Sequence, residues 1–295
     1  MPTDMLIEIT NRCNHSCMFC AHRVTRVRES WSYAEIEKNL LRRILKEGYE
    51  MGLRRVGLYT IGEMFLCNDV LYHIQNAKEI GYTYIYSDTN GALATKERLA
   101  SVIESGLDSL KFSINAGKRH TYKIIHGSDD FDKVIENLRA CHELKLKLNP
   151  KFKIMVSFIA TKQTEDEVEL LKEIVSPYVD QIVVRPVRAF FQQYDDNFTH
   201  MSTETFGGST KRAKIPCAMV LNRVHVTSEG YLSACCIDFK RDLLLADLKT
   251  MSLSDAWLSE NAVNFRKRHL EKQVEGTMCF GCSVGKYIPY DPLEI

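Results

Sequence analysis

The chain of 295 residues is long enough for one large α/β domain and a small appendage. Its 39 Lys and Arg residues nearly balance its 38 Asp and Glu residues. A nucleic-acid partner is therefore not expected, because phosphates would call for a basic excess. No apolar run approaches the roughly 20 residues that span a bilayer, and the N-terminus lacks a secretory signal, so we expect a cytoplasmic protein without a membrane partner.

Short apolar runs alternate with amphipathic segments of helical period over the first 184 residues. The predicted strands are Met5–Ile9, Arg55–Tyr59, Thr83–Tyr86, Ser109–Ile114, Lys153–Ile159 and Gln181–Val184. The predicted helices are Tyr33–Glu50, Asp69–Ile80, Lys96–Ser105, Phe131–Glu143 and Glu165–Val175. This alternation implies parallel strands joined by right-handed crossovers. We therefore predict the α/β class, as a partial (β/α)6 TIM-like barrel with function at the carboxyl ends of its strands.

The repeat stops at residue 188, and residues 188–216 carry no clear period. A connection this long is usually functional or mobile. Beyond it, Arg223–Val226 and Tyr231–Cys235 flank Gly230 and predict a β-hairpin, which a helix over Ser254–Leu270 follows. The predicted division is a core at 1–188, a linker or substrate lid at 189–216 and a small C-terminal domain at 217–295.

Three cysteines, Cys13, Cys17 and Cys20, follow the first predicted strand. In a reducing compartment, clustered cysteines indicate metal ligands or redox groups rather than disulfides. Three thiolates on one tight loop can bind three irons of a [4Fe–4S] cluster and leave the fourth iron open to a cofactor. The alternative is a zinc site with His15 or His22 as the fourth ligand, although such sites rarely cap the first strand of a βα repeat.

The C-x3-C-x2-C spacing, with an aromatic residue before the third cysteine, resembles the signature of the radical S-adenosylmethionine (SAM) superfamily. The resemblance covers about the first 185 residues and implies that SAM chelates the open iron through its amino and carboxylate groups. It further implies SAM contacts from five residues. One is Phe19, just before the third cysteine. Gly62 and Glu63 partially match the family's Gly-Gly-Glu segment, and Ser113 and Asn115 lie at the end of the fourth strand.

A second group consists of Cys217, Cys235, Cys279 and Cys282. Zinc ribbons usually present two close C-x2-C pairs, whereas Cys217 and Cys235 are 18 positions apart around a predicted hairpin. The layout resembles the twitch domain, a shortened relative of the SPASM domain that follows many radical SAM cores. The resemblance implies one auxiliary [4Fe–4S] cluster whose four irons are all held by these cysteines.

Three further side chains are candidates for a catalytic role. Cys236 is not expected to bind the same cluster as Cys235, because neighbouring residues on a strand face opposite ways. It is either a small buried hydrophobe or a thiol that gives a hydrogen atom to a carbon radical. Cys67 is a weaker candidate for the same donation. Arg185, at the end of the sixth strand, is a candidate to bind or deprotonate the substrate, or forms a structural ion pair.

The resemblance implies reductive cleavage of SAM to a 5′-deoxyadenosyl radical, with electrons from a flavodoxin- or ferredoxin-type reductant. The size and cysteine layout resemble those of small twitch dehydrogenases and epimerases that act on sugars and aminocyclitols. We therefore expect hydrogen abstraction from such a small molecule and its oxidation via the auxiliary cluster.

Three alternatives to this oxidation stay open. The first is radical epimerisation with Cys236 as the hydrogen donor. The second is maturation of ribosomally made peptides, which is less favoured because only 12 residues precede Cys13 and leave no room for a leader-binding domain. The third, outside the enzyme class, is an iron–sulfur electron carrier or sensor.

Overall fold

The computed structural model describes residues 2–20, 22–23, 26, 32–187, 216–280 and 282. These residues belong to two compact units. The first unit takes its described residues from Met1–Arg12, Ser32–Tyr86 and Arg212–Pro292, and the second takes them from Cys13–Trp31 and Ser87–Lys211. Among the described residues, none of the helices combines the length and apolar character needed to traverse a bilayer.

The strands and helices follow one another in the order that the sequence pattern predicts, with several additions. The described strands are β1 (Asp4–Ile7), β2 (Arg55–Gly57), β3 (Tyr84–Thr89), β4 (Ser109–Ser113), β5 (Lys153–Ala160), β6 (Gln181–Pro186), β7 (Arg223–Val226), β8 (Tyr231–Ser233) and β9 (Leu244–Asp247). The described α-helices are α1 (Lys38–Glu50), α2 (Val70–Ile80), α3 (Lys96–Glu104), α4 (Arg119–His126), α5 (Phe131–Leu148), α6 (Val168–Val175), α7 (Ala218–Asn222), α8 (Leu253–Leu258) and α9 (Glu260–Leu270).

In the first unit, β1 pairs in parallel with both β2 and β7, and β2 pairs in parallel with β3. Strands β7, β8 and β9 pair antiparallel, so the predicted C-terminal hairpin is confirmed. All four residues of β1 are buried, as expected for a central parallel strand that is covered on both faces. The parallel pairing of the hairpin with β1 was not predicted.

In the second unit, β4, β5 and β6 pair in parallel, with Ser113 opposite Ser157 and Ile159 opposite Arg185. Each of β1 to β6 therefore pairs in parallel with a neighbour, and helices lie between them along the chain. The predicted α/β class, with six strand–helix repeats and smaller antiparallel C-terminal strands, is confirmed.

Some predicted boundaries were wrong. Helix α1 does not start at Tyr33, because the Glu37 carboxylate accepts hydrogen bonds from two backbone N–H groups of the first turn and caps the helix there. The single helix predicted over Ser254–Leu270 is two helices, because Ser259 adopts an extended ψ of 152° and caps α9 with its hydroxyl. Helices α4 and α7 and strand β9 were not predicted at all.

A buried ion pair joins the first residues of β1 and β7. Asp4 is 3% exposed, and one of its carboxylate oxygens lies 2.9 Å from Arg223 Nε. The same oxygen accepts a hydrogen bond of 2.9 Å from the Tyr86 hydroxyl. Burial raises the pKa of Asp4, and the Arg223 guanidinium opposes that shift. The pair therefore connects the C-terminal hairpin to the first strand at a position where a lone charge would be costly.

Replacement of Asp4 by Ala should destabilise the protein strongly, because it leaves Arg223 buried without its partner. Loss of one member of a buried pair costs about 3–5 kcal/mol, which corresponds to a fall in Tm on the order of 10 °C for a protein of this size. Anaerobic thermal unfolding measures the effect. Glu143→Gln is the control, because its 3.0 Å ion pair with Lys96 is mostly exposed and should change Tm little. Equal Tm values for the two variants would contradict the importance of the buried pair.

Candidate functional site

The loop of the first cysteine group rests on the C-terminal end of α4. The Ser16 N–H donates to the His126 carbonyl oxygen at 3.2 Å. The Met18 N–H donates to the Ile125 carbonyl oxygen at 2.9 Å. Carbonyl groups in the last turn of a helix have no partner within the helix, so the loop supplies the missing donors. Gly127 ends the helix at φ +67°, and a Cβ there would lie 3.0 Å from the Ser16 carbonyl oxygen.

The three thiols of this loop are close enough to interact electrostatically. Burial raises the pKa of Cys17 well above its usual value, and the neighbouring thiols of Cys20 and Cys13 raise it further. Burial also raises the pKa of Cys20. Thiolates packed together in this way need nearby positive charge, which the irons of a [4Fe–4S] cluster supply. The thiol set therefore fits the expected cluster, and the assignment of these cysteines as ligands stays a prediction.

Two polar side chains that the sequence did not identify approach these sulfurs. His126 Nδ1 lies 3.6 Å from Cys17 Sγ, and Asn90 Nδ2 donates to Cys13 Sγ at 3.9 Å. The ligand atoms of His15, Cys17 and His126 lie within 4.8 Å of one another. His15, a ligand in the zinc alternative, lies with its Nε2 3.2 Å from Asp130 Oδ2. The sequence offered one hint of His126, namely the His126-Gly127 pair, because glycine commonly ends a helix.

The segment around Gly62 and Glu63 packs closely against the end of β1. The Glu63 N–H donates to the Arg12 carbonyl oxygen at 2.7 Å, and a Cβ on Gly62 would lie 2.1 Å from the Thr10 carbonyl oxygen. Only glycine fits there, which gives a physical reason for this part of the predicted motif. The Glu63 side chain is 2% exposed, and Oε1 accepts from the Phe65 N–H at 3.2 Å. Its contact with SAM stays a prediction.

Three residues of the second unit, Ser113, Asn115 and Phe19, were predicted to contact SAM. Ser113 Oγ lies 3.5 Å from Ser157 Oγ on the neighbouring strand. The Asn115 amide oxygen accepts from the Ile159 N–H at 2.7 Å, so this side chain joins the ends of β4 and β5. Phe19 is 7% exposed and packs with Ile125 of α4 and Val187, which follows β6. Nothing in these contacts tests a role in SAM binding.

One face of β4, β5 and β6, which we call the polar face, carries polar side chains beside apolar ones such as Met155 and Ile159. Lys111 and Ser113 share a face of β4 because they are two residues apart, and the strand register puts Ser157 and Arg185 on the same face. Lys111 Nζ lies 2.7 Å from Asp88 Oδ2 on β3. The opposite face is apolar and buried, and carries Leu110, Phe112, Ile154, Val156 and Phe158. Parallel sheets are usually apolar on both faces, so this polar face indicates a functional surface.

Asp88 is the most constrained member of the polar face. Its Oδ1 atom is buried and has no hydrogen-bond partner among the residues that the structure describes. Burial raises the pKa of Asp88, and the positive charges of Lys111 and Arg185 oppose the shift. A buried carboxylate oxygen without a partner is costly unless a ligand supplies a donor. Asp88 and Lys111 were missed from the sequence, because their contact depends on how neighbouring strands align.

The four cysteines of the second group line a single pocket in the first unit. The lining residues are Cys217, Met219, Val220, Cys235, Ile237, Leu243, His269, Met278, Cys279 and Cys282. Burial raises the pKa of Cys279 to about 12. His269 is 1% exposed, and neither ring nitrogen has a hydrogen-bond partner among the described residues. Four half-buried cysteines around one pocket, together with an imidazole that lacks a partner among the described residues, fit an iron–sulfur cluster, whose sulfides can accept hydrogen bonds.

The predicted strand Tyr231–Cys235 is too long, because β8 ends at Ser233. Cys235 and Cys236 both lie beyond the strand, so strand alternation does not determine which way their side chains face, and the role of Cys236 stays a prediction. The hydrogen bond between their thiols, together with burial, raises the pKa of Cys235 well above its usual value. Cys236 is not part of the lining of the pocket that the described residues form.

The other two catalytic candidates lie in different environments. Cys67 is 5% exposed in the first unit, and burial raises its pKa to about 11, so it is a thiol rather than a thiolate at neutral pH. Arg185 is exposed on β6 of the second unit, on the polar face. The roles of both residues stay predictions.

Comparison with known families decides the class. Residues 7–180, more than half of the chain, match the Radical SAM superfamily. The chain belongs to the radical SAM superfamily. Residues 217–283 match the SPASM iron–sulfur cluster-binding domain, so the expected auxiliary domain is confirmed. The expected cofactors, a [4Fe–4S] cluster that binds SAM and an auxiliary cluster, are confirmed at the level of these two domains, which sets the zinc alternatives aside.

Two curated relatives of this radical SAM protein are described as probable GTP 3′,8-cyclases. A probable GTP 3′,8-cyclase of Saccharolobus solfataricus is 28% identical over 200 residues, which cover 65% of this chain and 61% of the relative. A probable GTP 3′,8-cyclase of Sulfurisphaera tokodaii is 31% identical over 167 residues, or 56% of this chain and 50% of the relative. The chain thus spans about three fifths or less of the length of these relatives.

Solved structures share the fold at low identity. BtrN in complex with AdoMet and 2-DOIA superposes with a TM-score of 0.62 at 16% identity, over 95% of this chain and 92% of BtrN. SuiB of Streptococcus suis bound to S-adenosylmethionine superposes with a TM-score of 0.69 at 16% identity, over 97% of this chain and 73% of SuiB. AdoMet-bound anSMEcpe superposes with a TM-score of 0.67 at 14% identity, over 91% and 84% of the two chains.

Replacement of Gly62 by Ala should destabilise this radical SAM protein more than replacement of Gly52. A Cβ at Gly62 would meet the Thr10 carbonyl oxygen at 2.1 Å, so backbone must move, whereas nothing lies within 4 Å of a Cβ at Gly52. Gly52 has φ +97°, so its replacement costs only the conformational strain of about 1–2 kcal/mol. Anaerobic Tm values compare the two variants. A Gly62→Ala protein as stable as Gly52→Ala would contradict the packing of this loop.

Proposed function

We propose that this protein oxidises a carbinol carbon of a sugar-like or aminocyclitol substrate. In this proposal Cys13, Cys17 and Cys20 hold the SAM-binding cluster, and the four cysteines Cys217, Cys235, Cys279 and Cys282 hold the auxiliary cluster. When bound, the first cluster and SAM supply the oxidant that removes a hydrogen atom from the carbinol carbon. The auxiliary cluster would take up the second electron, a base of this chain would accept the hydroxyl proton, and the alcohol would become a ketone.

The polar face of the second unit is the main support for a sugar-like or aminocyclitol substrate. A polyhydroxylated or amino-substituted ring needs several hydrogen-bond donors and acceptors in a confined space. Lys111 and Arg185 supply donors, and Asp88 Oδ1 supplies a buried acceptor without a partner among the described residues. We assign Asp88 as the group that accepts the hydroxyl proton, and Arg185 as a group that binds the substrate oxygen. The similarity to BtrN over nearly the full length of both chains supports the same class.

The domain division also stays a proposal. The two family matches, over 7–180 and 217–283, support a core at 1–188 and an auxiliary domain at 217–295. The suggested lid at 189–216 lies outside the described residues except for its last residue. A flavodoxin- or ferredoxin-type reductant and a cytoplasmic location are kept as expectations.

A cyclase acting on GTP is the second candidate function. It is favoured by the names of the curated relatives, at 28% identity over 65% of this chain. A nucleoside triphosphate would call for a strongly basic pocket, whereas the polar face combines two cations with the half-buried carboxylate of Asp88. Incubation of the reduced enzyme with SAM and either an aminocyclitol or GTP separates the two. We expect the enzyme to form 5′-deoxyadenosine and an oxidised product when the aminocyclitol is present. Conversion of GTP but not of the aminocyclitol would refute the proposal. If 5′-deoxyadenosine forms with neither, the electron-carrier alternative gains support.

Replacement of Cys236 by Ala tests the epimerase alternative. If the protein is a dehydrogenase, the variant should keep its ketone product, because no thiol has to return a hydrogen atom. An epimerase would still make 5′-deoxyadenosine but would lose the inverted product. Cys141→Ala is the control, because Cys141 is a buried thiol in the middle of α5. Chromatography of substrate, product and 5′-deoxyadenosine after single turnovers measures the outcome.

Replacement of Asp88 by Asn should lower kcat/KM for the substrate by roughly 100- to 10,000-fold, the effect of losing the group that accepts the hydroxyl proton. Lys111→Met should act similarly, because it removes the partner that orients Asp88. SAM binding, measured by calorimetry, should be unaffected in both variants. Lys153→Met is the matched control, because Lys153 lies on the same face at the amino end of β5. Unchanged kcat/KM in both polar-face variants would exclude this face as the substrate site.

A further inference from the structure

His126 is held rigidly at the end of α4. Its side chain is buried, and the residue is 1% exposed. The Tyr122 ring stacks on the imidazole at a centroid distance of 3.9 Å and an angle of 11°. The His15 ring meets its edge at 5.4 Å and 81°. An imidazole packed between two rings in this way cannot turn freely, so its two nitrogens keep fixed partners.

The partners of Nε2 determine which ring nitrogen carries the proton. The Asn115 backbone N–H points to His126 Nε2 at 3.2 Å. A backbone N–H can only donate, so Nε2 must present its lone pair. The Asn115 side-chain nitrogen also lies 3.2 Å from Nε2, and its orientation is fixed because its amide oxygen accepts from Ile159. In a neutral imidazole whose Nε2 accepts, the proton is on Nδ1.

The protonated Nδ1 faces a cluster-binding sulfur. Its distance to Cys17 Sγ is 3.6 Å, which suits an N–H···S hydrogen bond. We propose that His126 donates this hydrogen bond to the Cys17 sulfur and thereby raises the reduction potential of the SAM-binding cluster. The inference rests on the proposed role of Cys17 as a ligand. His126 is a positioning and tuning residue in this account, because a nitrogen that holds a proton cannot itself bind iron.

The direction of the effect follows from charge. A reduced cluster carries one more negative charge than an oxidised one, and part of that charge lies on the cysteine sulfurs. A hydrogen bond to sulfur therefore stabilises the reduced state more, and hydrogen bonds of this kind are known to set cluster potentials. Because the donor is neutral and buried, it provides this stabilisation without placing a second formal charge beside the cluster. The cluster must be reduced before SAM is cleaved, so the bond favours the step that precedes chemistry.

Potentiometric titration followed by EPR tests the proposal in the reconstituted, SAM-free holoenzyme. His126→Phe keeps a ring to stack on Tyr122 but has no N–H. Its SAM-binding cluster should be about tenfold harder to reduce, a shift of about 59 mV to more negative potential for one electron. His126→Gln, which retains a donor and an acceptor, should recover part of the shift. His120→Phe is the control, because His120 is exposed on the same helix.

An unchanged potential in a His126→Phe protein with full iron content would overturn the inference. If that variant assembles no cluster, pulsed EPR of the reduced wild-type protein labelled with 15N-histidine decides. A weak 15N coupling supports the hydrogen bond, whereas no coupling, or the strong coupling of a nitrogen bound to iron, overturns it. Neither experiment uses a substrate, so a failed search for an aminocyclitol substrate leaves the inference intact. Absence of any SAM-binding cluster in the wild-type protein would refute the proposed function and this inference together.

Discussion

The rest of the site depends on one contact, the hydrogen bonding of the first cysteine loop to the last turn of α4. Two loop N–H groups satisfy carbonyl groups that the helix leaves without partners, and Gly127 lets the two backbones approach. The same turn ends in His126, which faces Cys17. One short helix therefore fixes the loop backbone and supplies a side chain next to a sulfur. If the helix were displaced, the cysteine loop would lose its backbone partners and Cys17 would lose its contact with His126.

Two environments of different character surround the cysteine groups. The first group lies beside Asn90, which follows β3, and His126 of α4, and the polar face belongs to the same unit. The second group lines a pocket whose other walls are almost entirely apolar, apart from His269. An open cluster needs neighbours that bind a cofactor and a substrate, whereas a fully ligated cluster needs only shielding and tuning. The contrast between the two environments agrees with the division of labour proposed for the two clusters.

Much of the fold and both cysteine groups could be predicted from the sequence, because strand–helix alternation and cysteine spacing are local patterns. Helix α4 was missed because Arg119–His126 is short and its ends are fixed by contacts with a distant loop. The Asp88–Lys111 pair was missed because strand alignment is a tertiary property. Cys236 was placed on a strand because alternation continued past Ser233, where the chain in fact turns. In the first two cases the deciding contact is made by residues that are distant along the chain.

Mössbauer spectroscopy of protein reconstituted with 57Fe tests the central claim, a cluster held by only three cysteines. With two [4Fe–4S] clusters per chain, one iron in about eight should lack a protein ligand. We predict that adding SAM to the anaerobic protein shifts the isomer shift of about one eighth of the iron and leaves the rest unchanged. A spectrum that SAM does not alter would contradict the account, because every iron would then already be fully bound by the protein.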